Sequence, residues 1–244
     1  MKPPNDRRQT LLIDVGKPFT IKVMKLSGPP RLSIDIINIG NIQGPLPANA
    51  AQPAKAFNYR VVLDPGHGGY SIGIISGSVR EKDICLSIAK NIANALFRRN
   101  DRNVFLTRRA DQYMSITDRA VFANQKSPDV FISIHLSGSD DFVIYTAYND
   151  PNVSDMSVAE QYSTLNMQRS YVEKSRAFAD SLGKAIKDEF GTNVIFREMN
   201  LPVLDYVGST AVMLEIPKTI VYDSATKTRL SGAILKGMAS YAGK

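Results

Sequence analysis

From about residue 59 onward, strand-like and helix-like patterns of apolar and polar residues follow one another along the chain. Apolar runs of strand length predict six strands, and segments with apolar residues every three or four positions predict four helices. Strands with few polar interruptions are buried on both faces. We therefore predict an α/β fold, with a mixed, mostly parallel central sheet of about six strands and helices on both faces. The predicted strands are Arg60–Asp64, Asn103–Thr107, Asp129–His135, Phe142–Ala147, Asn193–Phe196 and Ala211–Ile216, and the predicted helices are Asp83–Arg99, Ser115–Asn124, Val172–Phe190 and Ser224–Tyr241.

The first predicted helix has a clear amphipathic pattern, with Ile84, Ile88, Ile92 and Leu96 on one stripe. Cys85, the only cysteine of the chain, lies beside this stripe, so we predict a buried apolar thiol. A single cysteine also excludes an internal disulfide.

The first 58 residues have a different character. Leu32–Ile36 alternates apolar and polar residues, which is typical of a half-buried strand, and Thr10–Asp14 and Phe19–Met24 are candidates to pair with it. Residues 42–58 contain three prolines and five alanines without apolar periodicity, which indicates a semi-rigid linker. The predicted organisation is a small β segment at 1–41, a linker at 42–58 and one α/β domain at 59–244.

The net charge of +7 is concentrated near the N-terminus. Residues 1–57 carry eight Lys and Arg against three Asp, hence +5, whereas residues 58–244 carry 22 against 20 acidic residues, hence +2. This favours an anionic polymer or surface as a neighbour, the alternative being an ordinary solvated face. Nucleic acid is disfavoured as a partner, because the basic excess lies outside the α/β part and lacks interleaved aromatic residues.

Membrane and secretion signals are missing from the sequence. No run approaches the roughly 20 apolar residues of a membrane span. The first eight residues lack the apolar centre of a signal peptide. The expectation is either a cytoplasmic protein or a mature or trimmed chain.

Both histidines of the chain lie at the ends of predicted strands. His67 follows the apolar run that begins at Val61, and His135 ends the run that begins at Val130. Ligands of open α/β sheets gather beyond the carboxyl ends of the strands, so two imidazoles placed there suggest a metal centre.

A catalytic zinc ion needs about three protein ligands and an open position for water. Glu81 is the best candidate for the third ligand, because a glycine-rich loop at 68–78 can fold its carboxylate back beside His67. The alternative is a structural charge at a helix N-terminus. Glu215 lies within an apolar strand, where burial is costly unless the group is functional, so it is a candidate general base. The alternative for Glu215 is an edge-strand residue turned to solvent.

Four ordered motifs resemble those of the zinc-dependent N-acetylmuramoyl-L-alanine amidases (type 3). They are Asp64–Gly69 (DPGHGG), Arg80–Asp83 (REKD), Ser133–His135 (SIH) and Val212–Glu215 (VMLE), and the likeness runs from about Val61 to the C-terminus. It also includes Leu106–Arg108 with Asp111, Asp118–Arg119 and Ala123–Asn124.

The resemblance implies one Zn²⁺ per chain, bound by His67, Glu81 and His135, with Glu215 as the catalytic base. The implied reaction is hydrolysis of the amide between N-acetylmuramic acid and L-alanine in peptidoglycan. The implied compartment is the periplasm or the extracellular cell wall.

The chain departs from the family pattern at three places, which carry Ser71–Gly73, Leu136–Ser137 and Ile216–Lys218. These departures motivate a second hypothesis, a catalytically weak wall-binding protein on an amidase scaffold. A third hypothesis treats Gly66–Gly69 as a phosphate-binding loop. It is disfavoured, because neither a Lys-Ser/Thr pair nor a GxGxxG helix start follows.

Two further expectations come from the resemblance. Pro29–Ile36 is similar to the closing strand of the AMIN domain, a wall-targeting β module, and the segment 1–41 is then a partial module of this kind. Some division-associated amidases carry a helix that covers the zinc and is moved by an activator protein. Asn149–Arg169, with Met156, Leu165 and Met167, is a candidate for such a lid, a plain surface excursion being the alternative.

Overall fold

A computed structural model of the chain describes residues 19–26, 31–38, 59–77, 79–98, 103–148, 167–220 and 222–242. The chain divides into two units, residues 1–50 and residues 51–244. In the first unit, strands β1 (Phe19–Leu26) and β2 (Arg31–Asn38) form an antiparallel ribbon. The predicted pairing of these two strands is confirmed, whereas the strand predicted at Thr10–Asp14 and the linker at 42–58 lie outside the described residues.

The second unit alternates strands and helices along the chain. Its elements are β3 (Val61–Pro65), β4 (Ile75–Ser76), β5 (Val79–Arg80), α1 (Glu81–Arg98), β6 (Val104–Leu106), α2 (Ile116–Gln125), β7 (Val130–Ser137), β8 (Phe142–Thr146), α3 (Val172–Phe190), β9 (Val194–Glu198), α4 (Pro202–Asp205), β10 (Thr210–Pro217) and α5 (Ser224–Ala242).

Six of these strands form the central sheet, in the order β6-β3-β7-β10-β8-β9. Neighbouring strands are parallel except for β10 and β8, which are antiparallel. The predicted mixed, mostly parallel six-stranded sheet is therefore confirmed. The short strands β4 and β5 form a separate hairpin between β3 and α1.

The main hydrophobic core lies between one face of this sheet and the helices α1, α3 and α5, which contribute residues such as Ile88, Phe178 and Ile234. Successive side chains of a strand point to opposite faces. In β7, Ile134 belongs to this core, so the next residue, His135, points to the opposite face. The sheet therefore separates the His135 side chain from this core.

Three residues of the apolar stripe of α1, Ile88, Ile92 and Leu96, are buried, and Ile84 is partly buried against the same core. Cys85 beside the stripe is a fully buried thiol, as predicted. The α2 helix begins after Ser115, whose Oγ accepts a hydrogen bond from the backbone N–H of Asp118 at 3.0 Å. Among the described residues, no helix combines the length and the apolar character that crossing a membrane requires.

The structure differs from the predicted elements at several ends. The α1 helix begins at Glu81 rather than Asp83, because the Glu81 backbone N–H bonds the carbonyl of Ile74 and the β4–β5 hairpin leads directly into the first turn. The last strand before α4 is β9 at Val194–Glu198, so it continues two residues beyond Phe196. The β4–β5 hairpin and α4 were not predicted, since elements of two to four residues show no measurable periodicity.

Candidate metal centre

His67 lies in the loop after β3, and two buried arginines hold that loop. Its φ of 58° is left-handed, a conformation that costs a residue other than glycine about 1–3 kcal/mol. Arg119 Nη2 donates to the His67 carbonyl at 2.6 Å, and Arg108 Nη2 donates to the Gly66 carbonyl at 2.7 Å. Both arginines also donate to the carbonyl of Pro65. These bonds fix three consecutive carbonyls and so stabilise the strained turn that presents the imidazole.

Asp64 provides the negative charge beneath this loop. Its carboxylate is buried and accepts hydrogen bonds from Arg119 at 2.7 Å, Thr107 at 2.5 Å and Ser133 at 2.8 Å. Burial alone would raise the pKa of Asp64, but the Arg119 charge and these hydrogen bonds hold it below its ordinary value. Asp64 therefore acts as a fixed anion that positions Arg119.

Glu81 is the first residue of α1, and its side chain is only 3% exposed. Oε2 accepts from the backbone N–H of Ile74 at 2.7 Å, and Oε1 accepts from that of Leu136 at 3.0 Å. Burial would raise the pKa of Glu81, but hydrogen bonds from His135, His67 and Ile74 hold it well below its ordinary value. Glu81 therefore stays ionised, and it is both a helix N-terminal charge and a member of the site.

The two imidazoles converge on the same carboxylate oxygen. His67 Nε2 lies 3.2 Å and His135 Nδ1 lies 2.9 Å from Glu81 Oε1. These three residues can each offer one ligand atom, and the atoms lie within 4.8 Å of one another. A tetrahedral zinc ion, with bonds of about 2.0–2.1 Å, keeps its ligand atoms about 3.3 Å apart. Two imidazoles and one carboxylate at these distances fit such an ion.

Two glycines allow the loop to approach these side chains closely. A Cβ on Gly66 would lie 2.4 Å from Cε1 of His135. Gly73 has a φ of 74°, and a Cβ there would lie 2.4 Å from Oε2 of Glu81 and 2.7 Å from Cδ2 of His67. A side chain at either position would displace a candidate ligand.

Glu215 lies on β10 directly beside His135 on β7, as its parallel register partner. Each is the only half-buried residue of an otherwise buried strand, so both open to the same side of the sheet. Tyr145 on β8 donates its hydroxyl to Glu215 Oε2 at 3.2 Å. Burial raises the pKa of Glu215, and the hydrogen bond from Tyr145 opposes part of that rise. The edge-strand alternative for Glu215 is wrong, because β10 lies between β7 and β8.

The structure thus brings the four predicted side chains together, since His67 and His135 both contact Glu81 and Glu215 lies beside His135. The supporting groups were not predicted as parts of the site, namely Arg108, Arg119, Gly73 and Tyr145. The glycine and the two arginines lie within or near the sequence motifs, but spacing alone gave no reason to connect them with the histidine loop.

A family model for N-acetylmuramoyl-L-alanine amidases matches residues 61–234, a stretch that includes the whole candidate metal centre. The chain belongs to this family. Amidase AmiA from Escherichia coli (strain K12) is 44% identical over 80 residues, which make up 32% of this chain and 27% of AmiA. Other curated relatives are also matched over about 30% of their length, so the chain spans only part of the proteins it resembles.

Solved amidase structures share the fold. An N-acetylmuramoyl-L-alanine amidase from Clostridium difficile 630 superposes with a TM-score of 0.63 at 27% identity, covering 76% of this chain and 97% of that chain. The CwlD amidase from Clostridioides difficile, solved in complex with the GerS lipoprotein, gives a TM-score of 0.55 at 19% identity over 76% of this chain and 99% of that chain. The second likeness concerns the fold alone.

Proposed function

We propose that this chain is a zinc-dependent hydrolase that cleaves the amide between N-acetylmuramic acid and L-alanine in peptidoglycan. The observation that carries this proposal is the convergence of His67 and His135 on Glu81, with Glu215 in register beside His135. One zinc ion per chain, held by the first three residues, suits this donor set. Family membership supports the same reaction.

When bound, zinc supplies Lewis acidity, which polarises an amide carbonyl and lowers the pKa of water. The chain supplies the proton transfers. Tyr145 holds Oε2 of Glu215, which leaves Oε1 to take the proton of the attacking water. Glu215 then passes this proton to the leaving amine of the stem peptide. Burial raises the pKa of Glu215, which makes its carboxylate a stronger base and so assists the first of these two transfers.

Three wider assignments belong to this proposal. The substrate places the protein in the periplasm or the extracellular cell wall. The basic N-terminal segment at 1–41 serves as a wall-targeting module, joined by the linker at 42–58 to the amidase domain at 59–244. An activator protein acts on the enzyme; the CwlD amidase, which shares the fold, was itself solved in complex with a protein, the GerS lipoprotein. Of the candidate lid at Asn149–Arg169, residues 149–166 lie outside the described part of the chain.

The test compares Glu215→Gln, His67→Ala and a matched control, Glu173→Gln on the exposed face of α3. Zinc per chain is measured by elemental analysis, and stem-peptide release is measured on purified cell-wall sacculi. We expect Glu215→Gln to keep zinc but lose most turnover, His67→Ala to lose both, and the control to lose neither. Full activity of Glu215→Gln would refute the assignment. Sedimentation of the parent protein with sacculi, without peptide release, would favour the wall-binding hypothesis.

A further inference from the structure

Ser71 contacts the edge of the His67 ring that points away from the candidate metal centre. Ser71 Oγ lies 2.9 Å from Nδ1, while Nε2 of the same ring lies 3.2 Å from Glu81 Oε1. The imidazole therefore has an oxygen acceptor at each nitrogen. A neutral ring has one N–H proton, so it can donate to only one of them.

The two tautomers of His67 differ in their readiness to bind a cation. With the proton on Nε2, the ring donates to Glu81, and the two candidate ligands are bonded to each other. With the proton on Nδ1, the ring donates to Ser71 and the Nε2 lone pair is open. A carboxylate is a stronger acceptor than a hydroxyl. Without the Ser71 hydroxyl, the Nδ1–H tautomer would lose its acceptor, whereas the Nε2–H tautomer would still donate to Glu81.

The backbone fixes the position of this hydroxyl. Gly68 N–H donates to the Ser71 carbonyl at 2.8 Å, and Ser71 N–H donates to the Gly68 carbonyl at 3.2 Å. Gly68 has a φ of 124°, and a Cβ there would lie 2.2 Å from the carbonyl oxygen of Gln112. The turn that carries Ser71 is therefore closed on the residue next to His67 and packed against a neighbouring segment. Little ordering is needed to present the hydroxyl to the ring.

We propose that Ser71 is a positioning residue for the metal centre. Its Oγ offers an acceptor to the Nδ1–H of His67 and so favours the tautomer whose unprotonated Nε2 is directed toward Glu81 and can bind a cation. This inference rests on the metal site of the proposed function, but it does not depend on which amide the enzyme cleaves.

The test uses Ser71→Ala, which removes the acceptor, and Ser71→Asp, which supplies a stronger one. The matched control is Ser76→Ala, an exposed serine on the neighbouring hairpin. Zinc affinity is measured by competition with a chelator. The tautomer is read from long-range proton–nitrogen NMR of the zinc-free protein, a spectrum kept simple because the chain has only two histidines. The melting temperature of the zinc-free protein reports structural damage.

We expect Ser71→Ala to weaken zinc binding about 10-fold or more, as loss of a ligand's outer hydrogen-bond partner does elsewhere. In the zinc-free proteins, the fraction of His67 that carries its proton on Nδ1 should be lower in Ser71→Ala than in the parent, because only the parent has an acceptor at that nitrogen. Ser71→Asp should restore both the affinity and the Nδ1–H tautomer, and Ser76→Ala should match the parent.

Unchanged zinc affinity or an unchanged tautomer in Ser71→Ala would overturn the inference, and so would weaker binding that Ser71→Asp does not restore. A parent protein that binds no zinc would overturn both this inference and the proposed metal site. Zinc binding without peptide release from sacculi would count against the proposed substrate alone.

Discussion

Asp205, the last residue of α4, has a carboxylate that is only partly exposed to solvent. Its Oδ1 atom is buried and accepts no hydrogen bond from any residue that the structure describes. Burial raises the pKa of Asp205 to about 6, from an ordinary value of 3.8. The charged form is therefore less stable in the folded protein than in the unfolded chain. We predict that Asp205→Asn stabilises the protein at neutral and alkaline pH.

The size of the effect follows from the shift. A rise of about two pKa units corresponds to about 3 kcal/mol at 1.36 kcal/mol per unit. Partial exposure screens part of this, so we expect about 1–2 kcal/mol. The direction of the pH dependence follows from proton linkage. When folding raises the pKa of a group, its stabilising contribution is present below the pKa of the unfolded chain and is lost as pH rises through the pKa of the folded protein. The penalty of the aspartate thus develops between about pH 4 and pH 6, and asparagine lacks it at every pH.

The assay is urea unfolding of the parent and of Asp205→Asn at several values from pH 4 to pH 8. Because the chain has no tryptophan, circular dichroism is the suitable probe. The free energy of unfolding of the variant should exceed that of the parent at pH 8, and the difference should shrink by about 1–2 kcal/mol on going to pH 4. Asp140→Asn, at an exposed aspartate, is the control and should show a smaller pH-dependent difference. Two results would refute the reasoning: a difference in the free energy of unfolding that does not change with pH, or a variant that is less stable than the parent at pH 8.

Two other substitutions test the groups that build the metal centre. Gly73→Ala should lose most zinc affinity, because the new methyl group would overlap the Glu81 carboxylate, whereas Gly77→Ala, with a similar φ of 59° and open space around it, should keep zinc in the same chelator titration. Arg119→Met leaves the buried Asp64 without its charged partner and should lower the free energy of unfolding by about 3–5 kcal/mol at pH 7. The lowered pKa of Asp64 gives stability that is lost as pH falls, so this cost should diminish in urea unfolding at acid pH, and a cost independent of pH would contradict the pairing.

Much of the fold follows from the apolar pattern, because its strands are buried and its helices are amphipathic over several turns. The stripe that ends at Leu96 marked α1, and the run at Val130 marked β7. The antiparallel placement of β8 could not be predicted in the same way. A buried strand has the same apolar character in either direction, and only the short chain between β7 and β8 hints at a direct return. The two-residue strands β4 and β5 are fixed by their position between the histidine loop and α1.

The site was predictable to the extent that its chemistry resides in scarce residue types at strand ends. Two histidines and one glutamate within an apolar strand stand out in a sequence, but the residues that make their geometry do not. Arg108 is fully buried and donates its hydrogen bonds to backbone carbonyls, a role that residue type and spacing do not indicate. His67 adopts a left-handed conformation that would be unfavourable in isolation, and it persists because Arg119 and Arg108 bind the carbonyls on both sides of the strained bond. Substitutions of Arg108 or Arg119 should therefore weaken metal binding, even though they leave the ligand side chains themselves intact.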